Sequence, residues 1–241
     1  MHSLIIHMSS SIARRANAER LLRDLPGAEL VEAVDGRDPA QVAHVQVHPG
    51  DLHAPRYPFA LRPPEIGVFQ SHRRCWQTIL DRGWDRALVV EDDLAISRQQ
   101  FERALALLDA RMTPEMVVRL PVKARETPAA VLAQDGDMRL IVPRVIGLQC
   151  ICMAVGARAA ERLLRASEAI DRPVDTWLQM PWVTHQPVHA LLPNGNTEIA
   201  GQIGGSTIQT RPAGPGRVAR EWKRLAYRTQ IALRPQKPGP L

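Results

Sequence analysis

Three consecutive acids, Glu91-Asp92-Asp93, follow directly on the apolar run Ala87-Leu88-Val89-Val90. Carboxylates within about 4–6 Å of one another resist joint ionisation, so such a cluster is unfavourable unless something offsets its charge. A bound Mg2+ or Mn2+ would do so, because hard cations take oxygen ligands and can bridge carboxylates to substrate phosphates. Taken alone, the triplet fits a solvated turn or a helix cap at Asp92 or Asp93 equally well. Asp175, two residues after Pro173, offers a carboxylate that could take a proton from a hydroxyl, or that could cap a helix starting at Thr176. Asp35, before Gly36, stands at a strand end, where it could bind a ligand or simply make an Asp-Gly turn. His185 and His189 are four residues apart, but Pro187 between them breaks the helical spacing that would aim both at one ion.

These residues need elements to hold them. Residues 3–8 form a short apolar run that reads as a buried first strand, followed by a helix from Ile12 to Leu25 that Pro26-Gly27 ends. Leu30 to Val34 reads as a second strand. Strand, helix and strand within so short a span make a βαβ unit and favour a parallel sheet. Residues 38–64, rich in His and Pro, read as a surface excursion. Ile66, Phe69, Trp76, Ile79 and Leu80 then share a helical face that Gly83 closes, and Arg86 to Val90 is a short buried strand leading into the triplet. In open parallel sheets ligands bind beyond the carboxyl ends of the strands, which is where the triplet falls. A helix over Phe101–Arg111, strands at 116–120, 138–142 and 149–155, and an Ala-rich helix over Ala157–Ser167 follow. Gly201-Gln202-Ile203-Gly204-Gly205-Ser206 lacks P-loop spacing and reads as a loop that could close over a ligand.

The 241 residues suffice for one substantial α/β core, placed at 1–212, with a basic linker and helix at 213–241. No apolar run reaches the roughly 18 residues of a bilayer span. The N-terminus lacks the pattern of a secretory signal, and three cysteines make no disulfide framework, so the expected location is cytoplasmic. Net charge is +6, with much of the excess near the C-terminus. Aromatic residues are only 4% and do not alternate with basic ones, so no nucleic-acid partner is expected. Val218, Trp222, Leu225 and Thr229 form one stripe of the C-terminal helix among Arg217, Arg220, Lys223, Arg224 and Arg228. That pattern suits either peripheral contact with the inner face of an anionic membrane or docking on the core with a solvated basic face.

Read in order, these segments resemble glycosyltransferase family 25. Its central signature is similar to Glu65-Ile66-Gly67-Val68-Phe69-Gln70-Ser71-His72, then Trp76, then Ala87 to Asp93. The flanks agree: Leu4 to Met8 with Arg14-Arg15, Ala33-Val34-Asp35-Gly36, Val118-Arg119-Leu120, Ala154 to Leu164, and Pro173-Val174-Asp175. The similarity spans roughly residues 4–210. Two positions depart from the family pattern: His7 stands for a usual Asn, and Cys150 and Cys152 occupy a strand that commonly carries a Tyr.

The resemblance implies a GT-A-like α/β fold with a mostly parallel central sheet and flanking helices. It also implies inverting transfer of a sugar from a UDP-sugar, UDP-galactose by default, to a hydroxyl of a glycan such as lipopolysaccharide. Mn2+ or Mg2+ would be held by Asp93 and Glu91, with Asp92, His7, Met8, Arg15, Asp35, Ser71 and His72 lining the donor site. Asp175, as the base, and Glu91 would be the catalytic residues. The rival expectations are another UDP-sugar with a different acceptor, or a silent nucleotide- or carbohydrate-binding protein on the same fold.

Overall fold

The structure, a computed structural model, describes residues 1–205 and 217–237. Its first half runs β1 (His2–His7), α1 (Ile12–Asp24), β2 (Ala28–Glu32), α2 (Pro39–Val42), β3 (Gln46–Val47), α3 (Pro63–Asp81) and β4 (Arg86–Glu91). There follow β5 (Leu94–Ile96), α4 (Arg98–Arg111), β6 (Val117–Arg119), β7 (Pro128–Asp135), β8 (Met138–Pro143), β9 (Cys152–Gly156) and α5 (Ala157–Ala166). The chain closes with β10 (Ala169–Ile170), α6 (Val174–Leu178), α7 (Pro181–Thr184), β11 (Val188–Leu192), β12 (Asn196–Glu198) and α8 (Arg217–Ala232).

Eight strands make the main sheet in the order β2-β1-β4-β9-β6-β11-β8-β7. β2, β1, β4, β6, β11 and β7 point one way, and only β9 and β8 run against them. This is the expected α/β architecture with flanking helices. The sheet is mixed rather than purely parallel because β9 is inserted between β4 and β6. Alternation along the central strands sends side chains to two cores. Leu4, Ile6, Ala87 and Val89 join Phe69, Trp76, Leu163 and Trp177 from α3, α5 and α6. Ile5, Leu88 and Val90 meet Leu21 of α1 and Phe101, Ala104 and Leu108 of α4 on the other side. Because both faces are covered, the strands read as continuous apolar runs instead of alternating ones.

The connection from β1 through α1 to β2 thus lies on one face of the sheet, and the return through α3 to β4 lies on the other. The strand order reverses between β1 and β4, the kind of position at which ligands bind beyond the carboxyl ends of strands. Two glycines make the return possible. A Cβ on Gly36 would sit 1.7 Å from the Pro63 carbonyl oxygen, and one on Gly67 would sit 2.5 Å from the carbonyl oxygen of Val34. Helix α3 therefore starts in backbone contact with the loop that leaves β2.

Helix α8 docks on the core of the α3, α5 and α6 face through Tyr227 and Ile231. The Tyr227 hydroxyl accepts a hydrogen bond from Arg172, 3.0 Å away. Beyond the helix, Gln236 pairs with both backbone groups of Val188, donating to its oxygen and accepting from its nitrogen. Of the two expectations for this segment, docking on the core is what these contacts display. Val218, Trp222 and Leu225 remain exposed.

Candidate functional site

The triplet stands at the carboxyl end of β4, beside that of β1, with His7 and Arg14 behind it. Glu91 is the last residue of β4, its backbone N–H bound to the Ile151 carbonyl, and its carboxylate is partly exposed. Asp92 turns inward. Its Oδ2 lies 2.8 Å from Nδ1 of His7, and its Oδ1 accepts from Arg14 at 2.5 Å. The same guanidinium reaches Asp93 Oδ2 at 3.1 Å and the Gly205 carbonyl at 3.0 Å. The turn itself is pinned by Asn17, whose amide donates to the carbonyls of Asp92 and Leu94.

Asp93 is the electrostatically unusual member. Burial, then the neighbouring charge of Glu91, lifts its carboxyl to about 7, against the opposing pull of Arg14. Asp92 and Glu198 add smaller upward contributions. Its Oδ1 is buried and accepts no hydrogen bond. An acid that is buried, crowded by other acids and short of one partner fits a cation. Asp93 with Glu91 is thus the pair able to hold a divalent ion, in the manner of Mg2+ sites that use one or two carboxylates and leave the remaining positions to phosphate and water. Among the described residues no three His, Cys, Asp or Glu side chains gather as a complete protein-only metal site.

Residues 1–128 match the sequence model of glycosyltransferase family 25, described as an LPS biosynthesis protein. The chain belongs to glycosyltransferase family 25. Procollagen galactosyltransferase 2 of Homo sapiens is 28% identical to it over 203 residues, covering 75% of this chain and 30% of that protein. Inactive glycosyltransferase 25 family member 3 of Homo sapiens is 31% identical over 192 residues, covering 73% and 31% respectively. This family 25 chain therefore spans about a third of the length of those curated relatives. Among solved structures, galactosyltransferase LgtC in complex with donor and acceptor sugar analogs aligns with 99% of this chain and 98% of its own, at 11% identity and a TM-score of 0.35.

Within the family 25 chain the anticipated residues fall into three groups. His7, Glu91, Asp92, Asp93 and His72 come together at the carboxyl ends of β1 and β4. His72 is fully buried on α3, with Nε2 at 3.4 Å from Glu91 Oε1, the long limit of a hydrogen bond, and with Nδ1 lacking a partner. Ser71 lies beside it but spends its hydroxyl inside the scaffold, donating to Gly67 O and accepting from the Val34 N–H. Met8 follows β1, and its carbonyl accepts from the Ser11 N–H where α1 begins. Arg15 projects to the exposed side of α1 and donates to Ser9 O; its neighbour Arg14 is the one that reaches the acids. Asp35 makes the Asx turn, its Oδ1 accepting from the Arg37 N–H at 2.9 Å.

Asp175 forms a separate carboxylate centre. It occupies the first turn of α6, whose N-cap is Pro173, so it is inside the helix and not its cap. Oδ1 accepts from the Thr176 N–H, and Oδ2 accepts from the Gln149 N–H at 3.2 Å. Gln149 adopts a positive φ of 76°, and its side chain donates to Glu198 at 2.9 Å. Glu198 in turn belongs to β12, which pairs with β5 immediately after the triplet and sets Glu198 opposite Leu94. Gln149 thereby links Asp175 to the surroundings of Asp93. The thiol of Cys150, next along the chain, is raised by burial and then by the charges of Asp175 and Glu91. Gln149 and Glu198 are the site residues that motif reading passes over, and Arg14, half of the matched Arg14-Arg15 pair, reaches the acids where Arg15 was expected to serve. The one signal for Gln149 and Glu198 is proximity to a matched segment, and for Arg14 it is helical phase, which puts it with Asn17, Ala18 and Leu21 on the inner face of α1.

Proposed function

We propose that this family 25 glycosyltransferase transfers a hexose, galactose from UDP-galactose by default, with inversion to a hydroxyl of a glycan acceptor. The acceptor class is lipopolysaccharide, lipooligosaccharide or another cell-surface polysaccharide, and the location is the cytoplasm. One observation carries the reading: a buried carboxyl lifted to about 7, with one unpartnered oxygen, at the reversal point of an α/β sheet in a chain whose relatives are named galactosyltransferases. Asp93 and Glu91 would hold Mn2+ or Mg2+, which when bound supplies Lewis-acid charge beside the departing diphosphate. His7 and Arg14 immobilise Asp92 and keep the turn rigid, so the two remaining acids are presented in a fixed direction. Asp175, its carboxylate aimed by Gln149 and Thr176, would take the proton of the attacking hydroxyl, which is a poor nucleophile near neutral pH.

A second reading is a chain that binds nucleotide or sugar without turnover. It is favoured by Arg14, which already supplies a cation to Asp92 and Asp93, and by a relative whose printed name calls it inactive. A calorimetric screen of UDP-sugars with Mn2+, repeated on Asp93→Asn and paired with a turnover assay, separates the two. Transfer or donor hydrolysis that chelation and Asp93→Asn both abolish supports the enzyme. Metal-dependent donor binding with no turnover supports the silent protein, and turnover that survives chelation and Asp93→Asn removes the proposed site.

A further inference from the structure

Helix α8 presents two opposite faces. Tyr227 and Ile231 are buried in the core, whereas Val218, Trp222 and Leu225 are 72%, 66% and 55% exposed. At 100° per residue the exposed three fall within about 60° of arc, and that arc lies roughly opposite the anchoring pair. A solvent-facing arc directly away from the core is where polar residues are expected, and here it is apolar. Arg220 and Arg224 turn to the Phe59 ring, and Arg224 also pairs with Glu221, whereas Lys223 and Arg228 are exposed on opposite sides of the helix, about 130° and 90° from the stripe. Anchorage through Tyr227, Arg172 and Gln236 holds the stripe out as a rigid feature of the surface.

We propose that α8 is a docking helix for anionic lipid, resting its Val218-Trp222-Leu225 stripe in the headgroup layer of a bilayer. A helix is about 10–12 Å across, so Lys223 and Arg228 come within roughly a Debye length of a surface on which the stripe lies. Trp beside basic side chains is the composition favoured at a bilayer interface. A second copy seated stripe to stripe would bring the same cations together and repel, so charge selects an anionic occupant. Docking of this kind is independent of the transfer chemistry, and its test needs no sugar donor.

The full chain is pelleted with vesicles of phosphatidylglycerol and phosphatidylcholine, and with phosphatidylcholine alone, at low and high salt. Binding is expected only with the anionic vesicles and is expected to weaken as salt screens it. Lys223→Gln with Arg228→Gln should weaken partitioning about 25-fold, from about five-fold for each charge near the surface. Trp222→Glu with Leu225→Glu should weaken it about ten-fold or more. All four positions are exposed, and thermal melts check that the variants fold. Wild type that does not pellet, or either double variant that pellets as wild type does, overturns the proposal. So does a solution dimer that the Glu variant dissolves without any vesicle binding, which would assign the stripe to a second copy.

Discussion

Asp93→Asn tests the electrostatics of the site without reference to any substrate. The Asp93 carboxyl is lifted from an ordinary 3.8 to about 7 in the folded chain, first by burial and then by Glu91. Folding therefore favours its protonated form. The corresponding stability is fully present below about pH 4 and is lost as pH rises through about 7. Roughly three pH units at about 1.4 kcal/mol each give on the order of 4 kcal/mol. Asparagine has the shape of the protonated acid and cannot ionise. In a chelator, the variant should gain stability over wild type by up to about 4 kcal/mol between pH 4 and pH 8, or about 10 °C in Tm for a chain of this size. Added Mn2+ should raise the wild-type Tm at pH 8 and leave the variant unmoved. Urea unfolding across that pH range, with and without Mn2+, gives both numbers. Parallel pH curves for the two proteins would refute the assignment of the raised group, and equal Mn2+ shifts would refute Asp93 as a ligand.

Three further substitutions probe the rest of the site. Arg14→Gln removes the cation shared by Asp92 and Asp93, so without metal it should destabilise by about 3 kcal/mol. Mn2+ should recover part of that, giving a larger Mn2+-induced Tm rise than in wild type; equal rises in the two melts would contradict it. Asp175→Asn should leave donor affinity within about two-fold by calorimetry while lowering transfer about 100-fold or more, as expected for a lost base. Gly36→Ala drives a Cβ into the Pro63 carbonyl oxygen at 1.7 Å and toward the Gly67 nitrogen at 2.8 Å. Neither backbone group can yield cheaply, so urea denaturation should register a loss of about 3 kcal/mol or more.

Much of the local structure is legible along the chain because each signal is short-range. The first strand, the helix that Pro26-Gly27 ends, the long helix closed by Gly83 and the strand before the triplet all lie within a residue or two of their expected limits. β2 sits two residues earlier than its apolar run suggested, because the Val34 N–H is taken by the Ser71 hydroxyl instead of a neighbouring strand. β7, β11 and β12 went unread: β7 lies at a sheet edge with mixed exposure, and the others are short runs among Pro, Asn and Gly. The loop expected over Gly201–Ser206 is described as far as Gly205, whose carbonyl binds Arg14; Ser206 lies outside the described residues.

By itself the sequence determined that a βαβ unit leads to a strand ending in three acids, since hydrophobic period, turn residues and charge order are all properties of neighbours. It also determined the family, because several short motifs keep their order over residues 1–128. Only the tertiary structure decided what offsets the acids. Arg14 and Asp92 are 78 residues apart, and they meet because the strand order reverses between β1 and β4. The link from Asp175 through Gln149 to Glu198 likewise exists only once β12 pairs with β5. The outward turn of the α8 stripe was also settled there, by which residues of one amphipathic helix the core had room to bury. Charge and polarity are written residue by residue, but whether a charge is paired, buried or exposed depends on contacts between distant segments.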